Sequence, residues 1–235
     1  VTIAILDYGA GNLPSVARAC RACGATPRIV REPTDLHEAS AIIVPGVGHF
    51  DTAARGIGDD WRRALTAHVA RGRALFGICL GLQWLFESSD EAPAARGLGL
   101  LPGRSIRLPD IVKVPHVGWN TLDRTGRPSR LLEGLPPDAF VYFTHSYAVP
   151  VVPDAVATTT HGMPFTAVVE SGCVFGTQFH PEKSGEIGLR MFANFVRAAA
   201  SCASLDARGL PTGPLPDGPS PEGRDPHTAP SPHGR

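Results

Sequence analysis

Cys79 stands between Gly77 and Gly81 in the apolar run LFGICLGLQWLF, residues 75–86. A thiol held as thiolate is a strong nucleophile at neutral pH. G-x-C-x-G at the junction of an apolar strand and a helix has the form of a nucleophile elbow, with sulfur in place of oxygen. There the glycines permit a crowded backbone turn that lifts Cys79 out of the sheet edge. The helix N-terminus favours thiolate over thiol, lowering the pKa from about 8.5, and the Leu80 N–H faces the reacting carbonyl as an oxyanion donor. The same residues also fit a buried core cysteine, which is what most free cysteines in apolar runs are.

A thiol nucleophile needs a base. Of nine histidines, His180 is the one beside a carboxylate at the end of a strand-like segment, VFGTQFHPE, residues 174–182. Positions i and i+2 of an extended segment point the same way, so His180 and Glu182 can share one side, with Pro181 stiffening the turn. His180 would take the thiol proton and later give it to a leaving amine, while Glu182 holds the ring tautomer and stabilises the imidazolium. Alone, His-Pro-Glu is an ordinary surface turn. Paired with G-x-C-x-G at the end of another strand, it predicts a Cys79-His180-Glu182 triad.

The elements that must position these groups alternate. Thr2–Leu6 reads as a buried strand that breaks at Gly9 and Gly11, and a helix follows from Asn12, with Leu13, Val16, Ala17 and Cys20 on one face and Gly24 as its stop. Ala41–Val44 predicts a second strand ending at Pro45-Gly46, a helix carries Trp61, Leu65 and Val69, and Ala74–Ile78 predicts a third strand. Continuous apolar strands alternating with helices predict an α/β fold of three layers, a mostly parallel central sheet with helices on both faces. Beyond Gly97 the shorter segments Phe140–Phe143, Phe165–Val169 and Cys173–Phe179 predict an added mixed or antiparallel portion, before a last helix over about residues 185–200. Residues 201–235 are dense in Pro, Gly and Ser and hold no aromatic residue, which predicts a disordered tail beyond a domain of residues 1–200.

Composition narrows the function classes. Lys+Arg and Asp+Glu both number 22, so no global field draws the 235-residue chain to nucleic acid or an anionic membrane. Five scattered cysteines suit a reducing compartment better than a disulfide framework, and a chain of this length folds without disulfides. With no basic leader and no apolar run of membrane length, the expectation is a soluble cytoplasmic protein. Cys20-Arg-Ala-Cys23 has redox or zinc spacing, but it ends a helix and lacks a second pair, so it reads as packing. Gly9-Ala-Gly11 lacks the third glycine of a dinucleotide loop. His49, His68 and His116 read as solvent-facing or locally hydrogen-bonded, and no metal or organic cofactor is expected.

GICLGLQ together with GTQFHPEKS resembles the triad-type glutamine amidotransferases. ILDYGAGNL, VPGVGHF, GLGLLPG, VPHVGWN, FTHSY and FGTQFHPEKSGEIGL narrow the resemblance to the glutaminase subunit family of imidazole glycerol phosphate synthase, over residues 1–200 in order. The resemblance implies an amidotransferase domain that hydrolyses glutamine to glutamate and ammonia. It also implies a partner, a (β/α)8-barrel cyclase subunit that uses the ammonia to make imidazole glycerol phosphate and AICAR. It carries Cys79, His180 and Glu182 onto the family's triad, Val47 or Gly48 onto its second oxyanion donor, and Gly46, Gln83, His145, Ser146 and Tyr147 onto substrate binding. Asn12, Trp119, Tyr142 and Lys183 map to the cyclase face. Ammonia must stay unprotonated to react, so a sealed partner interface belongs to the expected mechanism. Two other readings fit parts of the pattern: a paralogous glutaminase serving another ammonia-accepting synthase, and a non-catalytic subunit that kept the fold.

Overall fold

The computed structural model describes residues 1–206, with the backbone alone described over 204–206. Its first half runs β1 (Thr2–Leu6), α1 (Leu13–Ala22), β2 (Thr26–Val30), β3 (Ala41–Val44), α2 (Phe50–Ala70), β4 (Ala74–Ile78) and α3 (Leu80–Leu85). The apolar pattern predicts all of these strands except β2, an edge strand in which Thr26, Arg28 and Ile29 are exposed. The second half is mostly strand: β5 (Ser88–Ser89), β6 (Arg104–Arg107), β7 (His116–Thr121), β8 (Asp123–Arg124), β9 (Phe140–His145), β10 (Tyr147–Ala148), β11 (Ala155–His161), β12 (Met163–Ser171) and β13 (Val174–Thr177). Helix α4 (Gly185–Asp206) closes the described chain.

The eight-stranded sheet has the order β2-β1-β3-β4-β13-β12-β11-β8. Pairing is parallel from β2 through β13 and antiparallel from β13 through β8. The antiparallel addition predicted for the second half is therefore real, but β13 itself joins the parallel block beside β4.

Side chains alternate across each strand, so β1 sends Ile3 and Ile5 to one face and Ala4 and Leu6 to the other. The first face packs on α1 and α4 through Val16, Cys20, Met191, Phe192 and Phe195. The second packs on α2 and α3 through Phe50, Trp61, Leu65, Leu82 and Trp84. Both faces are apolar and both are covered, which is the physical reason the strands read as continuous apolar runs. Helix α2 is broken at Gly58, whose φ of 52° and ψ of 178° leave the helical region.

Parallel strands share a direction, so β1, β3, β4 and β13 end at one edge of the sheet. The loops that leave this edge carry Tyr8 to Asn12, Pro45 to His49, Cys79, and Gln178 to Glu182. In open α/β sheets this carboxyl edge is where chemistry collects. A separate antiparallel pair, β7 with β9, sets Trp119 opposite Tyr142 and His116 opposite His145.

Two expectations are corrected. Helix α4 continues to Asp206, six residues into the segment read as a tail, and Cys202 is fully buried on it. The remaining tail, 207–235, lies outside the described residues. Cys202 is also not free: it is disulfide-bonded to Cys173, which precedes β13. Cysteines 29 positions apart carry no local sign of pairing, yet Cys202 in the last turns of α4 meets Cys173 just before β13. Among the described residues no helix is long and apolar enough to cross a membrane.

Candidate active site

The elbow is present, and its strain falls on the cysteine. Cys79 has φ 54° and ψ −107°, and it is the only non-glycine with positive φ among the described residues. Such a conformation costs on the order of 1–3 kcal/mol and persists where surrounding contacts enforce it. Gly77 and Gly81 do not supply the positive φ; they remove bulk. A Cβ on Gly77 would lie 2.5 Å from the Gly81 carbonyl oxygen, and one on Gly81 would lie 1.9 Å from that of Val44. The Cys79 N–H donates to the Thr177 carbonyl at 2.7 Å, tying the end of β4 to the end of β13.

His180 and Glu182 pair as expected, by a different local route. The His180 backbone is extended, but Pro181–Lys183 forms a single 3-10 turn, and it is this turn that brings Glu182 back under the ring. His180 Nδ1 lies 2.9 Å from Glu182 Oε1, and each side chain is only 2% exposed. The His180 N–H donates to Tyr142 O at 2.9 Å, and Ser184 Oγ donates to His180 O at 2.7 Å.

Burial alone would push the imidazole pKa down. The hydrogen bonds and negative charges of Cys79 and Glu182 outweigh it and lift the ring to about 10. His180 Nε2, the ring nitrogen not held by Glu182, is buried and has no hydrogen-bond partner among the described residues. The arrangement suits an imidazolium held between thiolate and carboxylate.

A cavity of about 410 Å3 opens over the sulfur. Val47, Gly48, Cys79, Leu80, Gln83, His145, Ser146 and Tyr147 line it, and so does Lys183, which the sequence reading assigns to the partner face. Leu80 begins α3, so its N–H has no partner within the helix. Among the described residues no backbone carbonyl takes the N–H of Val47, Gly48 or Leu80. Gly48 has φ +98°, a backbone that a side chain would disfavour.

Gly46 is a correction. It does not line the cavity; a Cβ there would lie 2.7 Å from the Gly81 nitrogen and 2.8 Å from Tyr8 Oη. Its smallness lets the Pro45–Gly48 loop seat against the elbow. Gln83 lines the cavity, but its amide is turned inward, with Nε2 donating to Tyr147 O at 2.8 Å and to Gln178 Oε1 at 3.2 Å. His145 likewise turns its ring away, to Tyr147 O at 2.9 Å through Nδ1 and to His116 Nδ1 at 3.1 Å through Nε2.

His116 is buried and meets the hydrogen-bonded arm of the expectation, with Nε2 3.4 Å from Asn120 Nδ2. Its ring stacks on Phe143 at 4.8 Å and on His161 at 4.1 Å. Burial and the neighbouring His161 push its pKa down to about 4; burial, with His116 next, takes His145 to about 3. His68 is buried too, with Nε2 3.2 Å from Ala74 O. His49 remains exposed at the start of α2, accepting from the Asp51 N–H. Cys20 is core packing, and Cys23 Sγ reaches Leu189 O at 3.5 Å.

Glu91 lines the cavity and sequence reasoning missed it, because it lies in a loop with no motif around it. Its Oε2 accepts from the Phe50 N–H at 2.8 Å. Thr144 and Pro115 complete the lining. Tyr8 was passed over as well; its hydroxyl donates to Pro45 O at 2.7 Å and pins the oxyanion loop to the end of β1. Burial, then the charge of Cys79, raises its pKa.

Beside the cavity mouth, β7 and β9 present an apolar face. Trp119 is 55% exposed, Val117 57% and Phe140 52%. Trp119 meets Tyr142 edge-on at 6.0 Å, and Lys183 Nζ sits 5.8 Å over the Tyr142 ring. Asn12 caps α1 without a side-chain hydrogen bond.

The family model for glutamine amidotransferase class-I matches residues 4–199. The chain is 47% identical over 195 residues to imidazole glycerol phosphate synthase subunit HisH of Methanothermobacter thermautotrophicus, covering 83% of this chain and 97% of that protein. It is 48% identical over 204 residues to the subunit of the same name from Halobacterium salinarum, covering 83% and 92%. Solved structures of similar fold include PurLQS from Thermotoga maritima, with a TM-score of 0.67 at 22% identity, covering 83% of this chain and 97% of that one. A glutamine amidotransferase matches with a TM-score of 0.68 at 23% identity, covering 84% and 98%.

Proposed function

The chain belongs to the class-I glutamine amidotransferase family, among the HisH glutaminase subunits of imidazole glycerol phosphate synthase, and from that premise we propose how its own residues release ammonia and pass it on. The observation that carries the reading is the convergence of a strained, cavity-facing Cys79 and a buried His180–Glu182 pair at one sheet edge.

Glutamine enters the cavity with its side-chain amide over the sulfur. The Cys79 thiolate adds to the amide carbon, forming the S–C bond and moving the carbonyl electron pair onto oxygen. The Leu80 N–H and an N–H of the Val47–Gly48 segment receive that oxyanion; one such donor is typically worth about 3 kcal/mol of barrier. His180, as imidazolium, protonates the amide nitrogen, the C–N bond breaks, and ammonia leaves a thioester. Water then attacks the thioester with His180 as base, and glutamate departs as the S–C bond breaks.

Glutamine also carries an ammonium and a carboxylate on its α-carbon. Glu91 is the acid on the cavity wall and complements the ammonium. Its hydrogen bond from Phe50 holds one oxygen and leaves the other for the ligand. Ser146 and Tyr147 hold the head group from the β9–β10 side.

The ammonia passes to a cyclase subunit with which this chain forms a heterodimer in the cytoplasm. Trp119, Tyr142, Lys183 and Asn12 lie on the docking face, which seals the route so that ammonia is not lost as ammonium. An exposed tryptophan flanked by an aromatic residue and a cation has the composition of an interface anchor.

The deciding experiment measures glutamate release by this chain alone, then with a barrel cyclase loaded with its nucleotide substrate, with Cys79→Ala as control. Weak hydrolysis alone that rises strongly with the loaded cyclase is expected. Cys79→Ala should abolish glutamine-dependent cyclisation and spare cyclisation with added ammonia. A flat response with a competent cyclase would move the acceptor assignment to another synthase.

A further inference from the structure

We infer that Gln178 is a catalytic residue of this glutaminase, the side-chain N–H donor that holds the Cys79 sulfur as thiolate, and that Gln83 fixes its orientation. The inference rests on Cys79 being the nucleophile.

Gln178 is fully buried, two residues before His180, and its backbone N–H donates to Ala167 O at 2.9 Å. With the backbone held there, the side chain reaches Cys79. Its Nε2 lies 3.7 Å from Cys79 Sγ, within the longer range of hydrogen bonds to sulfur.

An amide can be flipped, so which end faces the sulfur must be argued. Here a backbone carbonyl settles it. Gln83 lies 2.8 Å from Tyr147 O, a group that only accepts, so the atom of Gln83 placed there is the NH2 nitrogen. The same nitrogen lies 3.2 Å from the Gln178 amide, which must answer with its oxygen. The remaining Gln178 group, NH2, is then left facing the sulfur. The chain Tyr147–Gln83–Gln178–Cys79 has a single consistent hydrogen-bond direction, and that direction ends on the nucleophile.

The sulfur's other near neighbour, Thr144 O at 3.9 Å, also only accepts. It can take the hydrogen of a thiol but offers nothing to a thiolate. A donor favours the charged form of the acceptor it faces, more so where water is excluded. Gln178 therefore works beside the imidazolium of His180, itself backed by Glu182. The other titratable groups around Cys79 are Tyr8, whose hydroxyl is committed to Pro45 O, and Glu91, His145 and Lys183 on the cavity wall.

Packing alone would not require an amide at this position. A buried amide that takes a hydrogen bond at its oxygen and gives one from its nitrogen does require both ends to be met.

The test is the pH dependence of Cys79 alkylation by iodoacetamide in the full chain, read by peptide mapping, for wild type, Gln178→Glu and Gln178→Leu. Gln178→Glu keeps the size and the acceptor for Gln83 but offers no N–H to the thiolate. Gln178→Leu removes the donor without adding a charge. The apparent pKa of alkylation should rise by about 1 unit or more in both, which is a tenfold loss of thiolate per unit at lower pH. Glutamine hydrolysis should fall at least in proportion.

A merely structural role would lower the melting temperature and leave the alkylation profile in place, and that result overturns the inference. A rise in Gln178→Glu alone is a charge effect and also overturns it. Glutaminase activity surviving in Cys79→Ala would remove the nucleophile assignment and this inference together. An unchanged profile beside an inactive Cys79→Ala removes the inference alone.

Discussion

Gly81 and Val44 touch backbone to backbone: a Cβ built on Gly81 would lie 1.9 Å from the Val44 carbonyl oxygen. The elbow and the strand that leads into the oxyanion loop are therefore one packed unit. Gly81→Ala must push α3 away from β3, moving Cys79 relative to Val47 and Gly48. Glutaminase activity should fall by about 10²-fold or more, since a 1 Å misplacement already costs that much. Steady-state kinetics beside a melting curve checks it, and near-wild-type activity would show that the loop and elbow move independently.

Glu182→Gln removes the carboxylate that helps raise His180 to about 10, so the ring's pKa should drop. The expected result is a glutaminase rate lower by about 10²- to 10⁴-fold. In addition, the alkaline limb of the pH–rate profile should shift to lower pH. Loss of rate with an unmoved limb would mean that Glu182 orients the ring without setting its charge.

His116 and His145 are held neutral, with pKa values pushed to about 4 and about 3, first by burial and then by neighbouring histidines. In the unfolded chain both titrate near 6.5. Between about pH 6.5 and 4 the unfolded state binds more protons, so stability rises with pH and is lost as pH falls through this window. The melting temperature should decline from pH 7 to 4.5, and His116→Gln should flatten the decline. An identical slope in the variant would assign the acid sensitivity elsewhere.

Trp119 is half exposed on the β7–β9 face and meets Tyr142 edge-on. Trp119→Ala should leave stability within about 0.5 kcal/mol, as exposed substitutions do. It should weaken cyclase binding by about 2 kcal/mol or more, roughly 30-fold. Calorimetric titration against the cyclase reads both the affinity and the folded fraction; unchanged affinity would place the docking face elsewhere.

The Cys173–Cys202 disulfide closes a loop of 29 residues that contains β13, His180, Glu182 and most of α4. Closing a loop of that length is worth about 3–4 kcal/mol in the chain-entropy account. For a domain of this size that is roughly a 10 °C shift in melting temperature. Cys202→Ser should show it, and reductant should lower the wild-type melt toward the variant's. A wild-type melt indifferent to reductant would mean the pair is a dithiol in solution.

Local chemistry made much of this legible. The parallel strands announce themselves because both faces of the sheet are covered, so β1, β3 and β4 are apolar throughout. Cys79, His180 and Glu182 stand out because an elbow needs small neighbours and because here the carboxylate that orients the histidine happens to lie two residues from it. Trp119 and Lys183 were found by resemblance to a family, and no local rule would have singled them out.

The sequence by itself determined the alternation of elements, the elbow around Cys79 and the His180–Glu182 pair, since each depends on residues within a turn or two of one another; that the elbow and the pair meet is set by β4 lying beside β13. Only the tertiary structure decided that Gly46 serves the elbow, that Glu91 enters the cavity, that His116 and His145 meet edge-on as neutral rings, and that Cys173 meets Cys202. The physical reason is distance along the chain. Gly46 meets Gly81, Glu91 meets Phe50 and Gln83 meets Gln178 across 35, 41 and 95 positions. Which of many polar side chains will meet at such a separation is set by strand order and register, and no single stretch of sequence carries that order.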